Sequence, residues 1–275
     1  MLQQRGHRAK KRLGQHFLVN ESVVEHILSA AELKPGDIVV EVGPGRGVLT
    51  RKLAEQAARV IAVELDARLV KVLKRELASF PRVNIVHGDI LETTPEELLS
   101  GIDARSYKVV ANLPYYITSP ILRHFLQAER KPSLLVVMVQ KEVGEAIAAL
   151  PGKMSQLGIA VQFYSRPTVV TYVPASDFRP VPRVDSVVLR LDVYSQPPVD
   201  ISDEVGFWDI VHCGFSSPRK QLRNSLAHRL AIPPREASRL LEGLGIDPRR
   251  RAETLTLEEW RKVGEAFAPF RTQLC

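Results

Sequence analysis

Five short runs of this chain carry apolar residues in succession rather than in alternation, and helix-like stretches separate them. The runs are "IVVEVG" (38–43), "RVIAVEL" (59–65), "VNIVHGD" (83–89), "YKVVANL" (107–113) and "LLVVMVQ" (134–140). A strand with one wet face alternates polar and apolar residues, whereas a strand covered on both faces does not. The stretches at 47–57, 67–78 and 119–128, with a shorter one at 94–100, supply the covering helices. Ahead of them, "NESVVEHILSAAEL" predicts a helix capped by Asn20, with Val23, Ile27 and Leu28 on one face. This order predicts an α/β fold: a doubly wound, mainly parallel, Rossmann-like sheet.

Beyond residue 165 the pattern changes to strand pairs. "RPTVVTYV" and "VDSVVLRLDV", joined by "PASDFRPVPR", predict an antiparallel extension at the sheet edge. "SQPPVDIS" (195–202) reads as a linker. Four helices are expected after it, at about 203–215, 218–230, 234–243 and 256–268. The expected division is therefore a first domain over 1–195 and a small all-helical domain over 203–275.

Composition narrows the function classes. Lys and Arg number 38 against 31 Asp and Glu, a net charge of +7 that favours a polyanionic partner. The N-terminal run with Arg5, Arg8, Lys10, Lys11 and Arg12 has no acidic residue before Glu21. No apolar run approaches a membrane span and no signal-peptide core is visible, so no membrane role is expected. Cys213 and Cys275 are too few and too far apart for a disulfide framework or a cysteine zinc site. A cytoplasmic protein without a metal is expected, and a monomer.

Chemistry-bearing residues fall at the ends of the predicted strands. After the first strand, "VEVGPGRGVLT" places Gly43, Gly45 and Gly47 in a turn that leads into a helix. Such a turn lets a ligand approach the backbone closely. Its G-x-G-x-G spacing, with Val48 next, misses the dinucleotide pattern G-x-G-x-x-G. Glu64 ends the second strand, placed to accept from ribose hydroxyls. Asp89 ends the third, placed to accept from an adenine amine. A carboxylate near a helix start can instead be a cap, and Asp66 is suited to that role for the helix at 67–78.

The fourth strand runs into Asn112, Leu113, Pro114, Tyr115 and Tyr116. Pro114 stiffens this exit, so Asn112 and Tyr115 are held in a set geometry. An exocyclic aromatic amine is a poor nucleophile because its lone pair is delocalised into the ring. The Asn112 side-chain oxygen and a carbonyl at Leu113 or Pro114 can hold its two hydrogens, and the Tyr115 ring can stack on the base. Stacking needs the ring rather than the hydroxyl. Tyr116 needs no role beyond packing. Phe178, on a loop with Pro180 and Pro182, is the candidate for a second stacking ring, the alternative being a core plug.

"GQHFL" (14–18), "EVGPGRGVLT", "VELD", "GDIL", "NLPYYI", "VQKEV", "FRPVPRVDS" and "FSSPRKQLRNSL" together resemble the successive motifs of the ribosomal RNA adenine dimethyltransferase family. The resemblance implies S-adenosyl-L-methionine as cofactor. It implies transfer of two methyls to each of two adjacent adenosines in the 3′-terminal hairpin of small-subunit rRNA, within a pre-ribosomal small subunit. It places cofactor contacts on His16, Leu18, Gly43, Gly45, Glu64, Leu65, Asp89, Ile90 and Asn112. His16 departs from the family's usual asparagine. Leu222, Leu226 and Leu230 would face inward on the helix at 218–230. Arg219, Lys220 and Arg223, with Arg249 and Arg250, are then expected to meet phosphates.

Three other readings compete. A non-catalytic RNA-binding or transcription factor on this fold is opposed by the intact Glu64, Asp89, Asn112, Pro114 and Tyr115. A large-subunit rRNA methyltransferase shares the catalytic loop but fits "FSSPRKQLRNSL" less well. A dinucleotide oxidoreductase is disfavoured by the glycine spacing.

Overall fold

The computed structural model describes residues 15–102 and 106–273, and the basic run Arg5–Arg12 and Cys275 lie outside them. In chain order the elements are β1 (Phe17–Leu18), α1 (Glu21–Ala31), β2 (Ile38–Val42), α2 (Val48–Gln56), β3 (Arg59–Glu64), α3 (Ala67–Glu76), β4 (Val83–His87), α4 (Pro95–Leu98), β5 (Lys108–Asn112), α5 (Thr118–Leu126) and β6 (Leu134–Gln140). There follow α6 (Lys141–Ile147), α7 (Gln156–Tyr164), β7 (Ser165–Val173), β8 (Phe178–Arg179) and β9 (Ser186–Val193). The chain ends with α8 (Glu204–Phe215), α9 (Leu222–Arg229), α10 (Pro234–Gly243) and α11 (Leu257–Phe267).

Seven strands form one sheet in the order β4-β3-β2-β5-β6-β9-β7, and β1 pairs with β8 in a separate ribbon. Strands β2 to β6 pair in parallel, and β9 runs antiparallel to β6. All five residues of β2 are buried, as a strand covered on both faces requires. Leu53 of α2 and Ile27 of α1 pack with Val39, Val110 and Val136 in one cluster, while Leu69, Val70 and Leu73 of α3 form a second. The order reverses at β2: β3 and β4 lie on one side of it, β5 and β6 on the other. That switch point opens a crevice at the C-terminal ends of β2 and β5.

Local sequence accounts for the helix starts. Asn20 accepts from Ser22 N–H and Asp66 from Arg68 N–H, each as an N-cap. Cations hold the far end of α1. Lys108 Nζ donates to the carbonyls of Ala31 and Glu32, and Arg190 Nη1 to that of Ala30.

The chain divides into two compact units, Met1–Gly144 with Arg166–Val193, and Glu145–Ser165 with Tyr194–Cys275. The expected boundary at 195–203 kept 145–165 with the sheet, whereas the structure packs that stretch with the C-terminal helices. Phe163 of α7 stacks on Phe207 of α8 at 5.6 Å, and the hydroxyl of Tyr164 donates to the Glu204 carboxylate. Helix α7, "QLGIAVQFY", lacks a polar face and contains a glycine, so periodicity does not reveal it. In the same unit Trp260 is fully buried, and a Cβ at Gly214 would lie 2.3 Å from its ring. Helix α9 begins at Leu222, four residues later than expected. Pro218 cannot donate, Gln221 is extended (φ −65°, ψ 146°), and Lys220 N–H closes a turn onto Ser217 O. Arg219 and Lys220 are therefore turn residues, not helical ones.

Candidate active site

The crevice at the switch point is lined by the turn after β2, the ends of β3, β4 and β5, and β1. Gly43, Gly45 and Gly47 have φ of 67°, 59° and 74°, the left-handed region where a side chain is strained. A Cβ on Gly45 would also come within 3.1 Å of the Phe17 ring, so the backbone there is bare towards the cavity for two reasons.

Glu64 ties the turn to β3. Its Oε2 accepts from Gly45 N–H at 3.2 Å and its Oε1 from Asp66 N–H at 2.8 Å. Burial raises its pKa, and these two N–H groups partly oppose the rise. Asp89 accepts from Leu91 N–H through Oδ1, capping a 3₁₀ turn, and lines the same cavity. Leu65 is an exposed rim residue and Ile90 is buried, and both line the cavity.

The exit from β5 is as stiff as its proline implies. Leu113 N–H continues the ladder to Met138 O, and Pro114 sits at φ −61°, ψ 125°. The Pro114 carbonyl accepts from Ile117 N–H and from the Thr118 hydroxyl. Asn112 Nδ2 donates to His16 O at 3.4 Å, which leaves its amide oxygen out of that bond. The Tyr115 hydroxyl is 2.6 Å from that of Ser186, and its ring lies 5.9 Å from the His16 ring at 18° between planes.

His16, Leu18, Gly43, Gly45, Glu64, Leu65, Asp89, Ile90, Asn112, Leu113, Pro114 and Tyr115 are thus brought to one cavity. Phe178 is not among them. It is completely buried in the core with Val173 and Val188, and has no surface with which to meet a base. The expectation of a second stacking ring there is corrected to a core plug.

Two further cavity residues go unsignalled by the sequence. Tyr116, expected only to pack, is 55% exposed on the cavity rim, close enough to Asp89 and Glu64 that both help raise its pKa after burial. Glu41, in the middle of β2, reads as one polar residue in an apolar strand. It lines the cavity, yet burial pushes its pKa up to about 8. The Thr50 hydroxyl beside it lowers the value somewhat but stops short of hydrogen-bond geometry. Among the described residues neither Thr50 Oγ1 nor Glu41 Oε2 has a partner.

In the second unit, Leu222 N–H donates to Arg250 O and Arg223 N–H to Pro248 O, which brings the two basic stretches together. Arg219 and Lys220 are exposed. Arg249 pairs with Asp247 at the surface. Arg250 makes a bidentate pair with Glu259 at 2.5 and 3.1 Å and donates to Thr254 O. Its guanidinium is largely committed within the fold, which leaves it fewer donors for a phosphate than Arg219 or Lys220.

A parallel sheet with its glycine turn, strand-end acids and Asn-Leu-Pro-Tyr exit around one switch-point cavity defines a class I methyltransferase. Solved structures agree. A dimethyladenosine transferase from Plasmodium falciparum superposes with a TM-score of 0.76 at 26% identity, over 93% of this chain and 98% of that one. A 23S rRNA methyltransferase, ErmE, gives 0.71 at 27% identity, over 91% and 98%. Residues 6–268 match the family described as ribosomal RNA adenine dimethylase. A ribosomal RNA small subunit methyltransferase A from Dehalococcoides mccartyi is 48% identical over 261 residues, 95% of this chain and 89% of that protein. One from Moorella thermoacetica is 43% identical over 275 residues, 97% of this chain and 95% of that protein. The chain belongs to the ribosomal RNA adenine dimethylase family.

Proposed function

We propose that the protein transfers methyl groups from S-adenosyl-L-methionine to the exocyclic amines of two adjacent adenosines in the 3′-terminal hairpin of 16S rRNA. It would do so in the cytoplasm, as a monomer, on a pre-ribosomal small subunit during its biogenesis. The observation that carries this reading is the single cavity in which the glycine turn, Glu64 and Asp89 meet Asn112 and Tyr115.

The residues present fit the cofactor. The Gly45 backbone is bare towards the cavity, and an apolar pair at Leu65 and Ile90 suits a purine. Gly43, Glu64, Asp89, His16 and Leu18 would hold it. When bound, S-adenosyl-L-methionine supplies a methyl on a positively charged sulfur, an electrophile that needs no metal or strong base to react.

Asn112 and Leu113 then act on the target amine. The Asn112 amide oxygen and the Leu113 carbonyl each accept one amine hydrogen, which localises the nitrogen lone pair and aims it. Leu113 is preferred to Pro114 because the Pro114 carbonyl already accepts twice. Tyr115 stacks on the extruded base and sets its distance. Catalysis is therefore mainly positioning. Arg219, Lys220, Arg223 and Arg249 would hold RNA phosphates.

The test is incubation of unmethylated small subunits with labelled S-adenosyl-L-methionine, followed by mapping of the methylated adenosines. Label in the two adjacent adenosines is expected, and label elsewhere refutes the substrate assignment. Asn112→Ala should slow single-turnover transfer by about 10²–10³, the usual cost of removing one positioned polar group from a transition state.

A further inference from the structure

The segment "FRPVPRVDS" buries its phenylalanine, yet it reaches the site twice through other atoms. The Pro180 carbonyl accepts from His16 Nδ1 at 2.8 Å, and the His16 ring lies alongside Tyr115. Ser186, the first residue of β9, is fully buried and hydrogen-bonds the Tyr115 hydroxyl at 2.6 Å across 71 positions of sequence.

Ser186 is well placed to act as a brace. Its Cα partner in the sheet is Gln140, so its backbone is fixed by the β6–β9 ladder. Tyr115, by contrast, sits on a short 3₁₀ turn, Tyr115–Ile117, with no side-chain cap. Two torsions place its ring, and the turn backbone alone does not set them. A 2.6 Å separation is at the short end for O–H···O bonds, and a buried serine needs such a partner.

We propose that Ser186 is a positioning residue for methyl transfer: its buried hydroxyl holds the Tyr115 phenol and so sets the ring's plane relative to Asn112. This rests on the reading that Tyr115 stacks on the target base. It also replaces the expectation that the Tyr115 hydroxyl is dispensable.

The experiment is single-turnover methylation of unmethylated small subunits by Ser186→Ala, Tyr115→Phe, the double variant and Tyr115→Ala. Each conservative change removes one net hydrogen bond and should slow transfer about threefold to tenfold. The double variant should be no slower than the slower single, because both remove the same bond. Cofactor affinity by calorimetry should stay at the wild-type value. Ser186→Ala at the wild-type rate, or two slowdowns that multiply, overturns the brace. If Ser186→Ala does not fold, Tyr115→Phe reads the same bond from its other side, and a wild-type rate there also overturns it. Tyr115→Ala at the wild-type rate overturns the stacking role and the brace together. An impaired Tyr115→Ala beside an unimpaired Ser186→Ala overturns the brace alone.

Discussion

Glu41→Gln should stabilise the sheet, and by an amount that depends on pH. The folded chain holds the Glu41 carboxyl protonated up to about pH 8, against an ordinary value of 4.5, chiefly because burial disfavours the charge. The folded value is the higher one, so its contribution is fully present below pH 4.5 and is lost as pH rises towards 8. Each pH step within that window removes about 1.4 kcal/mol. About 3 kcal/mol is therefore gone by pH 7 and about 5 by pH 8. Glutamine keeps the shape and does not titrate. Wild type and variant should be alike in stability near pH 5 and diverge to about 3 kcal/mol at pH 7 in favour of glutamine. Trp208 and Trp260 both lie in the other unit, so a probe within β2 is needed. Native-state hydrogen exchange of the β2 amides, Val39 to Val42, reads it directly. Opening energies that stay parallel between pH 5 and 8 would refute a neutral, buried Glu41.

Two further outcomes follow from the geometry. Glu64→Ala removes acceptors from Gly45 and Asp66 as well as the one proposed for the ribose, so calorimetry should show cofactor affinity reduced at least about tenfold, one charged hydrogen bond being worth about 1.5–3 kcal/mol. Unchanged affinity in the folded variant would remove Glu64 from the site. Neutralising Arg219, Lys220 and Arg223 together should weaken binding to small subunits and flatten its salt dependence by nearly one power of salt for each phosphate left without its cation, while cofactor affinity stays unchanged. The same affinity and slope would move the RNA surface elsewhere.

The parts of this fold that show in the sequence are those governed by neighbours in the chain. Unbroken apolar runs at β2 and β6, the caps at Asn20 and Asp66, and the glycine turn after β2 each depend on a few adjacent residues. Glu64, Asp89 and Asn112 were legible for the same reason. Each sits at or just past a strand end, and the parallel order gathers those ends at one switch point. A stretch such as α7 escapes notice because its helix is mostly apolar, without one polar face, and is packed in a way that no local pattern reports.

Sheet type, strand-end chemistry and family membership are thus written in the linear order of residues. Which side chains are free to use that chemistry is settled by long-range packing instead. Phe178 and Arg250 carry the right groups, but the core consumes one and Glu259 the other. Glu41 carries a carboxyl whose charge burial suppresses, and Tyr115 carries a hydroxyl whose partner lies 71 positions away. One cause is common to all four. Desolvation and hydrogen-bond partnership are set by what folding brings within a few ångströms, from nine positions away for Arg250 and from 71 for Tyr115.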